Sequence, residues 1–457
     1  MDHKRMKIDN PTLEPLNNTC DDLTVSEGSN DMTNLPNLPL EFTGTKLHDL
    51  NEDCLLEIFQ LKTLDLYDVC SLADTCKRFR QIVHRIAPKE LEIWQSFEKN
   101  DCYQIKLEIT EYKIFNAAEK RLDKPCEFVM IKRIFANFGS NLVSVLIRSR
   151  RGLHCHLTDQ VALHCKEKLK HLSLQCQEFS QYRAIEMQPI FKNLKSLKFY
   201  SLHLLADAKL FAGMDSLVEL ELVSVENGVE ILENTFPKLE RFRYVKGITN
   251  KHQLREYQLM SSLLSFIVRH NDLKILQFSG HISKDSAMIF CQTIVHNCKE
   301  LDTFMLGCST TRTSYCIKIL TQLKSLRNLY LEHQSYSDLK VFAPMKELRH
   351  LNLSNCGLPL DLNQFDSWAH LTKIFLSTPN DFRSFDVVGV IKHLTNIEEL
   401  ELYASNKYIL DEETVCEIVA VVCRRVQLLR LKCLYDFDWK EFDAGEKLQL
   451  LQTITFH

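Results

Sequence analysis

Short groups of leucine residues recur along most of the chain. The clearest group is LRHLNLSNCGL at 348–358, which follows the pattern L-x-x-L-x-L-x-x-C-x-L. Its core, L-x-x-L-x-L or a close variant, begins again at residues 169, 194, 217, 239, 273, 301, 326, 371, 397 and 426, with weaker copies at 142 and 448. Because the start-to-start spacings run from 22 to 34 residues, the chain is an array of structural repeats.

Each repeat contains a short alternating segment, which is typical of a β-strand with one buried face. The two apolar residues of L-x-L point inward, and the residues beside them point outward onto a shared sheet face. One unit cannot bury its leucines alone, whereas stacking about thirteen of them makes a continuous core. We therefore expect an α/β solenoid over residues 91–457, with its first weak unit near 142. The pattern resembles leucine-rich repeats, which implies a parallel sheet on the concave face and helices and short turns on the convex face.

The segments between the predicted strands differ in length, and the longer ones have room for a helix. In the stretch SSLLSFIVRHN at 261–271, one helical face carries Leu263, Leu264, Ile267 and Val268. Residues 285–298 and 412–423 have a similar pattern. Repeats with a spacing of 22 or 23 residues leave space only for a turn or a single helical turn.

The first 45 residues have a different composition. Residues 1–45 hold four of the eleven prolines, several Asn, Asp and Ser residues, and no sustained apolar period. Such a segment cannot bury enough surface to offset the entropy of ordering it, so a disordered tail is predicted. The basic cluster formed by His3, Lys4, Arg5 and Lys7 has two interpretations, a nuclear address or an ordinary solvated tail.

Residues 47–87 have the apolar spacing of three short helices. Asn51 and Asp65 are the predicted N-caps of the first two, and Pro88 ends the third. The three apolar stripes are Leu55, Ile58 and Phe59; Val69, Leu72, Ala73 and Cys76; and Phe79, Ile82, Val83 and Ile86. Three helices of this size make a very small core by themselves. Two interpretations follow: a cap that packs on the rest of the chain, or a partner surface made of helices.

The stretch LNEDCLLEIFQLKTLDLYDVCSLADTCKRFRQIV at 50–83 resembles the F-box motif. The matching positions are Leu50, Leu55, Leu56, Ile58, Phe59, Leu64, Leu66, Val69, Leu72, Cys76 and Phe79. The sequence departs from the family at Asn51, where proline is usual, and in a longer loop between Phe59 and Leu64. The resemblance implies an F-box at 46–90 whose matching residues dock on a Skp-type adaptor and, through it, on a cullin.

Composition places the chain among ordinary soluble proteins. It is 45% hydrophobic and 25% charged, with a net charge of −4, whereas nucleic-acid and membrane-surface binders carry a basic excess. No apolar run approaches a membrane span, and the first ten residues lack a signal-peptide core. Seventeen cysteines are then expected to be reduced thiols in the cytoplasm or nucleus. Four lie near predicted strand ends, where small buried apolar residues fit: Cys176, Cys308, Cys356 and Cys433.

The best metal candidate is the HCH segment at 154–156. Alternate residues of a strand would put His154 and His156 on one face, with His164 and Cys165 nearby in sequence. A closed zinc site usually uses C-x-x-C pairs, and this sequence has none. We therefore favour a His-rich polar loop and predict no metal and no cofactor.

The sequence also offers little for catalysis. No phosphate-binding glycine loop is present, and no Cys–His pair stands out as a nucleophile with its base. The carboxylate pairs Glu219/Glu221 and Glu399/Glu401 fall on outward strand positions, so a solvated charged surface explains them better than acid–base chemistry. We predict that the chain is not an enzyme.

The outward strand positions form the predicted recognition surface. Its candidate substrate-binding residues are Tyr200, Arg241, Arg243, Tyr330, Phe375, Glu401, Tyr403 and Arg430. Aromatic and arginine side chains dominate interface hot spots, and mixed charge favours a protein or peptide over a nucleic-acid backbone.

An F-box followed by leucine-rich repeats implies the substrate-recognition adaptor of a Skp–cullin–F-box ubiquitin ligase. By that resemblance, the F-box docks on the adaptor and the solenoid binds the protein to be ubiquitinated. Two alternatives remain: a leucine-rich-repeat scaffold whose helical cap simply closes the solenoid without a ligase role, and an enzyme that uses the HCH region.

Overall fold

The structure is a computed structural model of the chain. The residues that it describes are 46–61, 64, 66–86, 89–96, 111–116, 128–148, 154–176, 178–246, 254–307, 314–332, 336, 338–357, 361–378, 386–404, 412–422, 426–431 and 453–456. The predicted disordered tail, with its basic cluster, lies outside them.

The chain divides into two compact units, Met1–Leu50 and Asn51–His457. In the described part of the first unit, a 3-10 helix spans Leu47–Asp49. One carboxylate oxygen of Asp49 accepts a hydrogen bond from the backbone N of Lys46 at 3.1 Å. All other described elements belong to the second unit.

Three short helices begin the second unit, as the apolar spacing predicts. They are α1 (Glu52–Phe59), α2 (Leu66–Thr75) and α3 (Lys77–Ile86). The predicted N-cap of α1 is confirmed, because the Asn51 side chain accepts a hydrogen bond from the backbone N of Cys54 at 2.8 Å. The predicted N-cap Asp65 and the terminator Pro88 lie outside the described residues.

A long sheet dominates the rest of this unit. Its strands are β1 (Glu90–Ser96), β2 (Glu111–Asn116), β3 (Ser144–Arg148), β4 (His171–Gln175), β6 (Ser196–Tyr200), β8 (Glu219–Val223), β9 (Arg241–Val245), β10 (Ile275–Ser279), β11 (Thr303–Gly307), β12 (Asn328–Glu332), β13 (His350–Ser354), β14 (Lys373–Thr378), β15 (Glu399–Ala404), β16 (Leu428–Leu431) and β17 (Thr453–Phe456). The order begins β2-β1-β3-β4-β6-β8-β9 and then follows the chain to β17. Pairing is parallel throughout, except between β1 and β2. A separate pair, β5 (Glu178–Phe179) and β7 (His203–Leu204), completes the described strands.

The register of the sheet confirms the L-x-L prediction. Leu351 of β13 pairs with Leu329 and Ile374, and Leu353 pairs with Leu331 and Leu376. All six side chains are at most 1% exposed. Equivalent positions therefore stack from strand to strand and form one continuous apolar core, as in a leucine-rich-repeat solenoid.

The two ends of the array compare differently with the prediction. The expected weak unit near 142 supplies β3, and the sheet extends beyond it through β1, which pairs in parallel with β3, to β2. In the last unit, β17 begins at Thr453, and Ile454 pairs with Leu429. The repeat core assigned from LQLLQT at 448 is therefore three residues too early, and the core follows LQTITF at 451–456 instead.

Helices occupy the long connections, as predicted. The longer ones are α4 (Phe128–Phe138), α5 (His154–His164), α6 (Gln181–Phe191), α7 (Leu254–Arg269), α8 (Lys284–Asn297), α9 (Ser314–Leu320), α10 (Val387–His393) and α11 (Glu412–Val422). The repeats of 22 and 23 residues carry only 3-10 helices, at Ala208–Phe211, Gly228–Glu233, Leu339–Phe342 and Leu362–Trp368. In the described part of the chain, no helix combines the length and the apolar character that a membrane crossing requires.

The predicted apolar face of α7 needs one correction. Leu263 and Ile267 are buried as expected, but Val268 is 54% exposed. Phe266 is buried instead, and its ring is tilted against that of Phe242 on β9, with the ring centroids 4.6 Å apart. The helix is rotated toward this aromatic contact because a phenylalanine buries more apolar surface than a valine.

Two of the four cysteines near strand ends are confirmed as small buried residues. Cys176 and Cys356 are 3% and 0% exposed, and the Cys356 thiol donates a hydrogen bond to the backbone O of Leu331 at 3.5 Å. Asn355, just before it, has a φ of 53°, which turns the chain out of β13. Cys308 and Cys433 lie outside the described residues.

Candidate functional site

The three N-terminal helices pack around a pair of phenylalanines. Phe59 at the end of α1 is 1% exposed, and its ring meets that of Phe79 edge-on with centroids 5.3 Å apart. Cys76 lies just before α3, where its sulfur accepts a hydrogen bond from the backbone N of Phe79 at 3.4 Å. At the surface, Arg85 and Glu52 tie α3 to α1 with an ion pair of 2.8 Å.

The residues proposed for adaptor docking divide into two groups by burial. The buried group is Leu55, Phe59, Leu66, Val69 and Phe79, all at most 8% exposed. The partly exposed group is Leu50, Leu56, Ile58, Leu64, Leu72 and Cys76. The structure thus places the first group in the chain's own core, where these five side chains pack the three helices together. They share the helical stripes of the second group, so sequence spacing alone does not separate them.

Leu61 is an apolar surface residue that the candidate set omits. It follows α1, its backbone N donates to the backbone O of Ile58 at 3.2 Å, and its side chain is 52% exposed. A large apolar side chain with this exposure next to the partly exposed Ile58 is typical of a binding surface.

Asp74 of α2 anchors the three helices to α4, the first long helix of the solenoid. Its carboxylate accepts hydrogen bonds from Arg133, at 2.7 and 3.0 Å, and from Asn137 at 3.0 Å. Burial raises the pKa of this carboxyl, but the bonds from Asn137 and Arg133 outweigh that effect and lower it overall. Asp74 therefore stays ionised and holds two polar side chains of α4.

A polar network crosses the outward face of the sheet at β6, β8 and β9. Glu221 accepts hydrogen bonds from Lys198 at 2.6 Å and from Tyr200 at 2.7 Å, and a longer one from Arg243 at 3.4 Å. Glu219 accepts from Ser196 at 2.6 Å and from Lys198 at 3.0 Å. The structure thus brings together Tyr200 and Arg243, two of the candidate residues.

Burial and pairing set the charge states in this network. Burial alone lowers the pKa of Lys198 and raises that of Glu219, yet their hydrogen bonds reverse both shifts, so both groups remain charged. Burial and the carboxylate of Glu221 raise the pKa of Tyr200, which stays protonated. The prediction of a solvated charged surface is wrong for Glu221, which is 9% exposed. Three donors on neighbouring strands surround this carboxylate.

A depression of about 560 Å³ lies beside this network on the outward face. Its lining includes small side chains on three neighbouring strands: Ser144, Ser173 and Ser196. Arg148 and Tyr200 lie along its edge. The depression exists because serines occupy outward positions at which other strands carry larger residues.

A second cluster of candidate residues lies on β14 to β16. The rings of Phe375 and Tyr403 stack with centroids 5.3 Å apart, and Arg430 donates to Glu401 at 2.7 Å. Lys373 pairs with Glu399 on the adjacent strand. These residues form an aromatic platform with satisfied ion pairs beside it.

The remaining candidates are more isolated. On β12, the hydroxyl of Tyr330 lies 3.2 Å from Nδ1 of His350. Burial raises the pKa of Tyr330 and lowers that of His350. The Arg243 position is five strands from that of Phe375, or about 24 Å at the usual strand spacing. The eight candidates therefore form separate groups along the face.

The HCH segment is helical, so neither the polar loop that we favoured nor the strand that the metal hypothesis assumed is present. Residues 154–156 begin α5, where residues two apart point in different directions. Burial raises the pKa of the Cys165 thiol to about 12, which disfavours the thiolate that a metal would need. Within the described part of the chain, no group of three His, Cys, Asp or Glu side chains is arranged to hold a metal ion.

Comparison with known proteins identifies one family domain in the chain. Residues 47–91 match the family model of the F-box domain. No curated protein matches the chain. Among solved structures, an internalin from Listeria monocytogenes is similar, with 14% identity over 65% of this chain and 82% of the internalin chain, and a TM-score of 0.38. That likeness is too weak to carry an argument, and the assignment of the repeats rests on the sheet itself. The chain thus combines an F-box domain with a leucine-rich-repeat solenoid.

Proposed function

We propose that this chain is the substrate-recognition adaptor of a Skp–cullin–F-box ubiquitin ligase. The observation that carries the proposal is the F-box domain at 47–91, joined to a solenoid. F-box domains in general bind Skp-type adaptors, and leucine-rich repeats bind proteins. In this role the chain transfers no group itself and needs no cofactor; it binds a target protein while the ligase acts.

Partly exposed apolar side chains supply the proposed docking surface. Leu56 and Ile58 on α1 and Leu72 on α2 are partly exposed, and Leu61 is 52% exposed. Complete burial of one such side chain contributes about 1.5–3 kcal/mol. The five buried residues of the motif act indirectly, because they hold α1 to α3 in the arrangement that presents this surface.

The contacts of Asp74 fit the adaptor role but do not distinguish it from the scaffold alternative. Its hydrogen bonds to Arg133 and Asn137 attach α2 to α4 and hence to the repeat array. A fixed attachment keeps a bound target at a constant position relative to the adaptor, which favours repeated transfer to the same target.

The test is binding of the purified full chain to a Skp adaptor, with a cullin added in a second step. We expect Ile58→Asp and Leu61→Asp each to weaken adaptor binding at least tenfold, since tenfold corresponds to about 1.4 kcal/mol. A matched control is Ile289→Asp, because Ile289 on α8 is a large apolar residue 49% exposed outside the F-box. The control variant should bind the adaptor like the wild type.

The scaffold alternative is supported by the same contact between α2 and α4, since a plain helical cap would also pack there. It predicts no adaptor binding by the wild type and loss of solenoid stability when the contact is removed. Absence of adaptor binding at micromolar concentration would overturn the ligase proposal and leave the scaffold.

A further inference from the structure

The outward cations of the sheet differ in how well they are paired. Arg430 donates to Glu401 at 2.7 Å, and Lys373 pairs with Glu399. Arg243 makes one long bond, of 3.4 Å, to a carboxylate that already accepts two shorter ones, and its buried Nε has no partner. Arg241, two residues away, is exposed and has no ion pair with another described residue. Its charge still acts on Glu219, the residue opposite it on β8, since it is one of the groups that offset burial and lower the pKa of that carboxyl.

The charge around these two arginines is positive. On the outward positions of β6, β8 and β9, three cations, Lys198, Arg241 and Arg243, face two carboxylates, Glu219 and Glu221. The outward residues of the next two strands, β10 and β11, are uncharged: Ile275, Gln277, Ser279, Thr303, Met305 and Gly307. No described neighbour on that side therefore neutralises the excess, and an incoming anion would meet it directly.

The depression begins within this network, because Lys198, Tyr200 and Glu219 are among its lining residues, and it extends away from β9 as far as β3. Ser173 of β4, near the middle of the strands that line it, is three strands from Arg243 of β9, or about 14 Å. An extended peptide advances about 3.3 Å per residue, so the two features are about four residues apart along a peptide that crosses the strands.

We propose that this part of the face binds an extended acidic segment of the target protein. An acidic side chain, carboxylate or phosphate, pairs with Arg241 and Arg243, and a bulky side chain about four residues away enters the depression. A nucleic acid fits less well, because the same face presents Glu219, Glu399 and Glu401 to its phosphates. The identity of the occupant rests on the proposed function, in which this face holds the target.

The experiment uses the immobilised full chain and pools of degenerate twelve-residue peptides with one fixed position. The fixed residue is Glu, phosphoserine, Gln or Lys, and the bound peptides are identified by mass spectrometry. We expect roughly tenfold enrichment of the Glu pool, the phosphoserine pool or both over the Gln pool. Bulky residues should be enriched about four positions from the fixed one. Because Arg241 is exposed, the preference should shrink at high salt.

The double variant Arg241→Gln, Arg243→Gln should lose the preference for acidic pools. Lys373→Gln is the matched control, because Lys373 is outside the candidate binding set, lies in the same row of the sheet as Arg241, and has a side chain 44% exposed against 39% for Arg243. The control should keep the preference, and all variants should melt like the wild type and bind the Skp adaptor equally.

Two results would overturn the inference: equal capture of the Glu, phosphoserine and Gln pools, or an acidic preference that survives in the double variant. Either result with intact adaptor binding leaves the ligase proposal standing. If the chain prefers acidic peptides but does not bind the adaptor, the peptide site is supported and the ligase role is refuted. Enrichment of the phosphoserine pool alone would identify phosphate as the recognised group.

Discussion

Truncation of Phe59 to alanine tests whether this residue belongs to the core or to the docking surface. The side chain is 1% exposed and contacts Phe79 edge-on at 5.3 Å. Replacement of a buried phenylalanine by alanine costs about 3–5 kcal/mol, because it removes apolar burial and leaves a cavity. That is a large share of the roughly 5–15 kcal/mol that stabilises a typical domain, so α1 to α3 should open locally.

Amide hydrogen exchange on the intact chain measures this opening segment by segment. In Phe59→Ala, peptides from 52–86 should lose protection, whereas peptides from β12 to β14 should exchange like the wild type. Skp binding should weaken because the docking surface is no longer held in place. The paired variant Ile58→Ala truncates a partly exposed neighbour, so it should weaken Skp binding while protection over 52–86 stays close to the wild type.

One pattern would refute the reasoning from burial. If Phe59→Ala keeps wild-type protection throughout α1 to α3 and still loses Skp binding, Phe59 contacts the adaptor directly. The split between buried and docking residues drawn from this structure would then be wrong at its central position.

Three further predictions concern the rest of the second unit. Leu353→Asp places an unpaired charge at a position that is 0% exposed, which costs several kcal/mol. A circular-dichroism melt should therefore show collapse of the array, and an unchanged melt would mean that Leu353 is not a core residue. Asp74→Asn and Arg133→Gln should each speed hydrogen exchange in α2 and α4, and a double-mutant cycle should show that their effects are not additive; simple additivity would contradict the contact. His270 is 4% exposed and its Nε2 accepts from the backbone N of Phe236 at 2.8 Å. Since burial lowers its pKa from the ordinary 6.5, its contribution to stability is full above pH 6.5 and is lost as the pH falls below that value toward the folded pKa. The melting temperature should therefore drop more between pH 7 and 5.5 in the wild type than in His270→Gln, and equal drops would exclude His270 as the cause.

Sequence pattern alone was sufficient for the repeat architecture. The alternation in L-x-L identifies the two buried residues of each interior strand, such as Leu351 and Leu353 in β13. It does so because the two-residue period of a strand depends only on backbone geometry. The lengths of the repeats also predicted which connections between strands contain an α-helix and which contain only a 3-10 helix. The pattern failed where a segment is short or at an end: HCH at 154–156 is helical, and the last strand lies three residues later than assigned.

For the F-box, local pattern predicted the helices but not the role of each apolar residue. Leu55, Ile58 and Phe59 share one helical stripe, yet Leu55 and Phe59 are buried in the chain and Ile58 is partly exposed. The difference arises from packing against α3, which lies some twenty residues further along the chain. A helical stripe shows that a face is apolar, and only the neighbouring helices show how much of it is already covered.

On the outward face of the sheet, the sequence predicted the orientation of the charged side chains, and only the tertiary structure showed how those charges are paired. Sequence predicted that Tyr200, Glu221 and Arg243 point outward, because they occupy the outward positions of their repeats. That Glu221 is almost buried beneath Tyr200, Lys198 and Arg243, while Arg241 is left without an ion pair among the described residues, was decided by strand register. Register brings together residues some twenty positions apart, and the energy of a charge depends on those neighbours and on its exposure rather than on its place in the repeat.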